Sequence, residues 1–141
     1  MINGKDIRLG KLFSHGEKSV VIAIDHGMFD GPIPGMINLK ETASRINPDV
    51  DGVLISPGML EICKSIFSFR GAPLPIVRLN WSDVYCFHWK YNEANTVIAR
   101  TVEDAVAEGA EVVLASLTIG TGNPRTDARN VEVYATLAGQ A

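Results

Sequence analysis

The sequence predicts an α/β fold built on a parallel sheet, and three observations point to it. Short apolar runs alternate with segments of helical spacing along the chain. The runs stop at turn-forming residues and show no polar alternation, as strands buried on both faces do. The turns between elements are short, which makes the crossovers right-handed and the neighbouring strands parallel.

Ser19–Ile24 reads as the first strand and runs straight into Asp25-His26-Gly27. A loop with Gly31, Pro32, Pro34 and Gly35 follows. Asn38 is placed to cap a helix over Leu39–Ile46, which Asn47-Pro48 closes, because proline disfavours helix in the residue before it. Gly52–Ile55 is the second strand, ending in Ser56-Pro57-Gly58. Pro57 suits a helix start, and Met59, Ile62, Cys63, Ile66 and Phe67 follow helical spacing over Met59–Phe69.

Gly71-Ala72-Pro73 breaks the chain ahead of a third strand, Pro75–Leu79. Asn80–Asn95 is a long polar and aromatic segment, and Thr96–Ala99 reads as a short strand or extended piece. Thr101 and Asp104 resemble a capping box, and Gly109 is a helix stop. Glu111–Leu117 is the fourth strand, Thr118–Asp127 a loop and Ala128–Leu137 a helix. Two architectures suit this order: an open doubly wound sheet, or half of a (β/α)₈ barrel, which takes about 250 residues when complete. Composition and periodicity leave both open.

The 141 residues suffice for one domain with a real core. Apolar content of 46% and charged content of 21% are those of a globular protein. A net charge of −3 gives no basic footprint for nucleic acid and no polybasic patch for a membrane. No apolar run approaches the roughly 18–20 residues of a membrane span. The stretch MINGKDIRLGKLF lacks the apolar core of a signal peptide. Cys63 and Cys86 are too few and too far apart for a disulfide framework or a zinc site. These features predict a cytoplasmic protein with reduced thiols. Three scattered histidines with no HxH or ExxH pair predict no metal.

Asp25 is the leading candidate for chemistry. Two ionisable side chains at the end of a buried strand are not explained by packing, and strand C-terminal ends carry the chemistry of parallel α/β folds. Its plain alternative is a turn-capping Asp. His26 reads as a substrate contact or as a packed, hydrogen-bonded histidine. Ser56 reads as a helix cap. Arg78 lies inside an apolar strand and must be paired, either with a substrate anion or with a carboxylate such as Asp25. Thr118 is expected at the mouth. Gly120–Pro124 reads as a plain turn ahead of a phosphate loop. Tyr85–Tyr91, YCFHWKY, reads as a substrate lid or as a surface buried against another subunit.

Several of these segments carry a family resemblance. IRLGKLF (Ile7–Phe13), VVIAIDHGMFDGPIPGM (Val20–Met36), ISPGML (Ile55–Leu60), RLNW (Arg78–Trp81), TVEDAVAEGAEVV (Thr101–Val113) and IGTG (Ile119–Gly122) occur in order over nearly the whole chain. Together they resemble the start of archaeal-type class I fructose-bisphosphate aldolases and their relatives, the aminodideoxyheptulosonate synthases and the autoinducer-2 phosphate thiolase. The resemblance implies a (β/α)₈ TIM barrel, of which residues 1–141 form about the first four βα units as a single domain.

The resemblance also implies Schiff-base chemistry. A lysine on the sixth strand attacks a ketone, and the protonated imine is the electron sink for breaking or forming a carbon–carbon bond. The Asp of the DHG motif is a catalytic carboxylate in that family, and Asp25 matches it. His26, Arg78 and Thr118 are then expected to contact a small phosphorylated keto or aldehyde substrate, with no cofactor and in a homo-oligomer.

There are two departures from the family pattern. The chain is expected to stop short of the strand that carries the lysine. Ser116 and Thr118 also fall where these aldolases carry aromatic residues, including a catalytic Tyr. A Thr hydroxyl cannot replace Tyr as an acid, so the resemblance favours a relative with another substrate. The alternatives are a carbon–carbon transferase on the same barrel and a non-catalytic binding or regulatory homologue.

Overall fold

The computed structural model describes residues 4–141. Met1–Asn3, the start of the stretch read for a signal-peptide core, lie outside the described residues. Helix α1, Gly4–Leu12, comes first, with Asp6 in its first turn and Lys11 in its last, the favourable arrangement for the helix dipole. Four parallel strands follow in sheet order β1-β2-β3-β6: β1 Val21–Ala23, β2 Gly52–Ile55, β3 Leu74–Arg78 and β6 Val112–Leu114.

The order is strictly sequential. A doubly wound sheet reverses strand order where its helices change faces, and this sheet never reverses. Side chains alternate across each strand, and the register puts matched residues on one face. Ile22 and Ile24, Val53 and Ile55, Val77 and Leu79, and Val113 and Ala115 all pack into one core. Ala43, Leu60, Cys63, Val102, Ala105, Val133 and Leu137 from the helical side complete it. The opposite face carries Ala23 and Asp25, Leu54 and Ser56, Ile76 and Arg78, and Leu114 and Ser116. One helix-covered face and one concave face define a singly wound sheet, the curved half of a (β/α)₈ barrel.

The helices are shorter than the strands' partners usually are. In α2, Gly27–Asp30, one turn follows Asp25. In α3, Leu39–Ser44, Asn38 caps the helix by accepting from the Glu41 N–H. In α4, Leu60–Cys63, the chain tightens into a 3₁₀ turn over Lys64–Ile66, so the apolar spacing up to Phe69 overstates the helix. In α5, Val102–Ala107, Thr101 accepts from the Asp104 N–H. The last helix, α6 Pro124–Gln140, starts four residues before the apolar periodicity does, because Asn123 caps it and proline occupies its first turn.

After Leu79 the chain continues as β4, Asn80–Ser82, which pairs antiparallel with β5, Thr96–Ile98. This small hairpin presents the aromatic segment. Phe87, Trp89 and Tyr91 are exposed at its tip, while Tyr85 turns inward. At its return, Ala94 adopts φ 57°, which costs a non-glycine residue about 1 kcal/mol. The buried Asn130 amide of α6 donates to the Ala94 carbonyl at 2.8 Å and holds that conformation.

Candidate active site

Asp25 follows β1 and points from the concave face, with 3% of its surface exposed. Arg78, the last residue of β3, reaches across and donates through Nε to Asp25 Oδ2. The partner of the buried arginine is thus a protein carboxylate, one of the two alternatives its position in an apolar strand left open. Arg78 Nη1 donates to Ser116 Oγ at 2.7 Å. Its guanidinium carbon lies 5.1 Å from the Phe29 ring centre and 5.4 Å from that of Tyr85. The two rings pack at 5.2 Å, tilted by 56°. Phe29 comes from α2 and Tyr85 from the hairpin, so both segments after the first and third parallel strands converge on one cation.

Ser116 is held in turn by Asn80. The Asn80 Nδ2 donates to the Ser116 carbonyl at 2.7 Å, and Asn80 Oδ1 accepts from the Ser116 N–H at 2.9 Å. Ser56 Oγ donates to the Asp25 carbonyl at 3.3 Å and steadies the turn in which the carboxylate sits. Asp30 anchors the hairpin by accepting from the His88 N–H at 2.9 Å. Asp25, Arg78, Ser116 and Asn80 therefore form one polar chain across the strand ends.

The other site residues expected from sequence stand around this chain. His26 is exposed at the start of α2 and makes no capping bond. Thr118 is half-buried, and its carbonyl accepts from Asn130 Nδ2 at 3.0 Å. In the following turn, Asp127 accepts from the Gly120 N–H at 3.2 Å, the Thr121 N–H at 3.1 Å and the Thr121 hydroxyl at 2.8 Å. These bonds, the hydroxyl first, hold the Asp127 carboxyl below its ordinary pKa. The Gly120, Thr121 and Asn123 N–H groups of the turn are thus bonded within it, the last to the Thr121 hydroxyl at 3.2 Å. Phe29 and Asn80 were not singled out as site residues, although Asn80 lies in the RLNW segment with Arg78, and Tyr85 was read only as part of a lid or a surface buried against another subunit.

An open cleft of about 740 Å³ adjoins the site, lined by Ile24, Met28, Met36, Leu39, Ser56 and Met59 among others. Burial raises the pKa of the free thiols of Cys63 and Cys86, with Asp30 and Asp83 adding to the effect at Cys86. Neither is poised as a nucleophile. Among the described residues no group of three or more His, Cys, Asp or Glu is arranged to hold a metal, and no helix is long and apolar enough to cross a membrane. Lys5 and Lys11 lie on α1, Lys18 precedes β1, Lys40 is on α3, Lys64 is in the 3₁₀ turn and Lys90 is in the hairpin. None of these six follows a parallel strand at its C-terminal end.

No protein-family model matches the chain. It is 35% identical over 140 residues to an uncharacterized aldolase of Saccharolobus solfataricus, covering 98% of this chain and 51% of that protein. It is 30% identical over 118 residues to the 2-amino-3,7-dideoxy-D-threo-hept-6-ulosonate synthase of Halobacterium salinarum, covering 83% of this chain and 42% of the relative. The chain thus spans about half the length of the curated relatives it matches. An archaeal fructose 1,6-bisphosphate aldolase has a similar structure, with a TM-score of 0.64 at 23% identity over 98% of this chain and 51% of the other. A Schiff-base-forming fructose-1,6-bisphosphate aldolase gives the same TM-score, 0.64, at 23% identity over 96% and 51%. The sequential sheet, its concave polar face and these likenesses agree: the chain resembles the N-terminal half of the archaeal class I fructose-bisphosphate aldolases and their relatives, with the first four βα units of a (β/α)₈ barrel.

Proposed function

We propose that this chain contributes the Asp25 half of an imine-forming, class I aldolase-type active site. One observation carries the proposal: a buried carboxylate at the C-terminal end of the first strand, oriented by an arginine from the third. In this chemistry a lysine amine, supplied from outside residues 1–141, adds to a substrate ketone and loses water. A base takes the proton from the hydroxyl on the β-carbon, that oxygen becomes the carbonyl of the first product as the bond between the α- and β-carbons breaks, and the electron pair of that bond enters the iminium to give an enamine. Protonation of the resulting enamine and hydrolysis release the second product. Asp25 is the base, and Arg78 fixes the carboxylate in one orientation. His26 and Thr118 contact a small phosphorylated keto or aldehyde substrate from the rim. The assembly is a homo-oligomer in the cytoplasm, a compartment that fits two free thiols.

A second reading rests on a departure from the family pattern. By the resemblance, Ser116 and Thr118 fall where these aldolases carry aromatic residues, and that supports a carbon–carbon transferase on the same barrel. That reading is excluded if the native protein releases dihydroxyacetone phosphate from fructose bisphosphate at ordinary turnover.

Borohydride reduction of the native protein with ketose phosphates, read by intact mass, tests the imine. A covalent adduct on lysine is expected, and its absence leaves a non-catalytic binding homologue. The Asp25→Asn variant is expected to keep the adduct and lose turnover. Full turnover in that variant would remove Asp25 from the reaction.

A further inference from the structure

The Arg78 guanidinium has one nitrogen to spare. Nε is committed to Asp25 and Nη1 to Ser116 Oγ. Nη2 has no acceptor among the described residues, and it is not among the side-chain atoms sealed from solvent without a partner. The side chain keeps 11% of its surface exposed. On the planar group, Nη2 lies between Nε and Nη1 on the edge away from the stem. A molecule bonded there sits between Asp25 and Ser116. Phe29 and Tyr85 shield the cation from water, which strengthens any charge-assisted bond it makes in its own plane.

We propose that Nη2 of Arg78 is the receptor for an oxyanion of the substrate, a carboxylate or a phosphate, beside the carboxylate that moves the proton. The proposal rests on the imine-forming reading above and deepens it by naming what orients the substrate. Arginine suits the task because its fork serves Asp25, Ser116 and a third acceptor together. A lysine ammonium can neutralise Asp25 but lacks that fixed geometry. A ketone whose anionic group lies close to its carbonyl is thereby held with its reacting carbon near Asp25. A neutral ketone gains no such orientation.

The test uses the native protein and two readouts. First, the Arg78 Nε–H resonance is followed by NMR during titration with pyruvate, inorganic phosphate and dihydroxyacetone. Movement with pyruvate or phosphate but not with dihydroxyacetone is expected, and the stronger response identifies carboxylate or phosphate as the source. A signal unmoved by both anions overturns the proposal. Second, half-saturating concentrations for borohydride trapping are compared between wild type and Arg78→Lys, using pyruvate, dihydroxyacetone phosphate and dihydroxyacetone. In the variant the half-saturating concentration of the preferred anionic ketone is expected to rise at least about tenfold more than that of the neutral one. Equal loss for all three would reduce Arg78 to a structural role and overturn the proposal. Failure of wild type to trap any ketone, with the resonance still moving, would sink the imine reading and leave the oxyanion receptor standing.

Discussion

Asn80 and Ser116, 36 positions apart, are joined by two reciprocal hydrogen bonds, in which the Asn80 side chain plays the part of a neighbouring strand. The bonds join the exit of β3 to that of β6, just beyond the last paired residues, Arg78 and Leu114. They also place the Ser116 hydroxyl under Arg78. Asn80→Ala leaves both backbone groups of Ser116 unpaired in a part-buried site. The expected cost is about 2–3 kcal/mol in urea unfolding, with a matching fall in the protection of the Ser116 amide from hydrogen exchange. Unaltered protection would mean that the β3–β6 pairing alone fixes Ser116.

The ion pair beneath it predicts strong coupling. Arg78→Met strands the Asp25 charge in a buried position, at an expected cost of about 3–5 kcal/mol. The double variant Asp25→Leu/Arg78→Met removes both charges and is expected to recover a large part of that loss. A double-mutant cycle by chemical denaturation measures the recovery. Additive losses would show that the two side chains act independently.

At the opposite end of the sheet, Asp51 accepts from His15 Nδ1 at 2.8 Å and from the Val20 N–H at 2.7 Å. These bonds, the His15 bond first, pull its pKa below the ordinary carboxylate value. A lowered native pKa means stability that is complete above the unfolded value, about 3.9, and lost as pH falls through the native one. Asp51→Asn is therefore expected to lower the urea midpoint at pH 7 and to flatten its decline in acid. A parallel decline in wild type and variant would assign the acid sensitivity to other carboxylates.

The sheet ends in two unpaired edges, β1 and β6, and Val20 and Val21 beside the first are 60% and 43% exposed. Such edges recruit further strands. The 141-residue chain in isolation is expected to associate, and Val21→Lys to shift it toward monomer in sedimentation velocity. A monodisperse wild-type monomer with high thermal stability would show that the open edges are tolerated.

Local chemistry made much of the fold legible. Gly52–Ile55 matches its predicted bounds, because an apolar run between turn residues marks a central strand. Asn38 and Thr101 were legible as caps because a cap bonds to its own helix, three residues on. Helix α1 left no comparable pattern: it contains Gly4 and Gly10 and buries no residue. The short β4–β5 pairing was half-seen, as an extended piece at Thr96 without its partner. Asp25 stood out through its motif and Arg78 through its charge in an apolar strand. Phe29, Tyr85 and Asn80 did not, since an aromatic contact with a cation, or an amide bonded to a distant backbone, has no period and no spacing. Asn123-Pro124 was a readable helix start that the apolar periodicity, beginning only at Ala128, concealed.

Lys11 of α1 grips Glu111, at the foot of β6, through both carboxylate oxygens at 3.1 Å, and Arg8 approaches the same group at 3.9 Å. Leu9 and Leu12 line a groove with Val106, Val112 and Tyr134. The contact spans a hundred positions of chain. A ribosome makes α1 before the sheet, yet its docking ground does not exist until the fourth parallel strand and its neighbouring helices have been synthesised and packed. A helix of nine residues is marginal alone, and this one buries no residue even when docked. Helix α1 is therefore expected to reach its place late, as a clasp closed over a sheet already assembled.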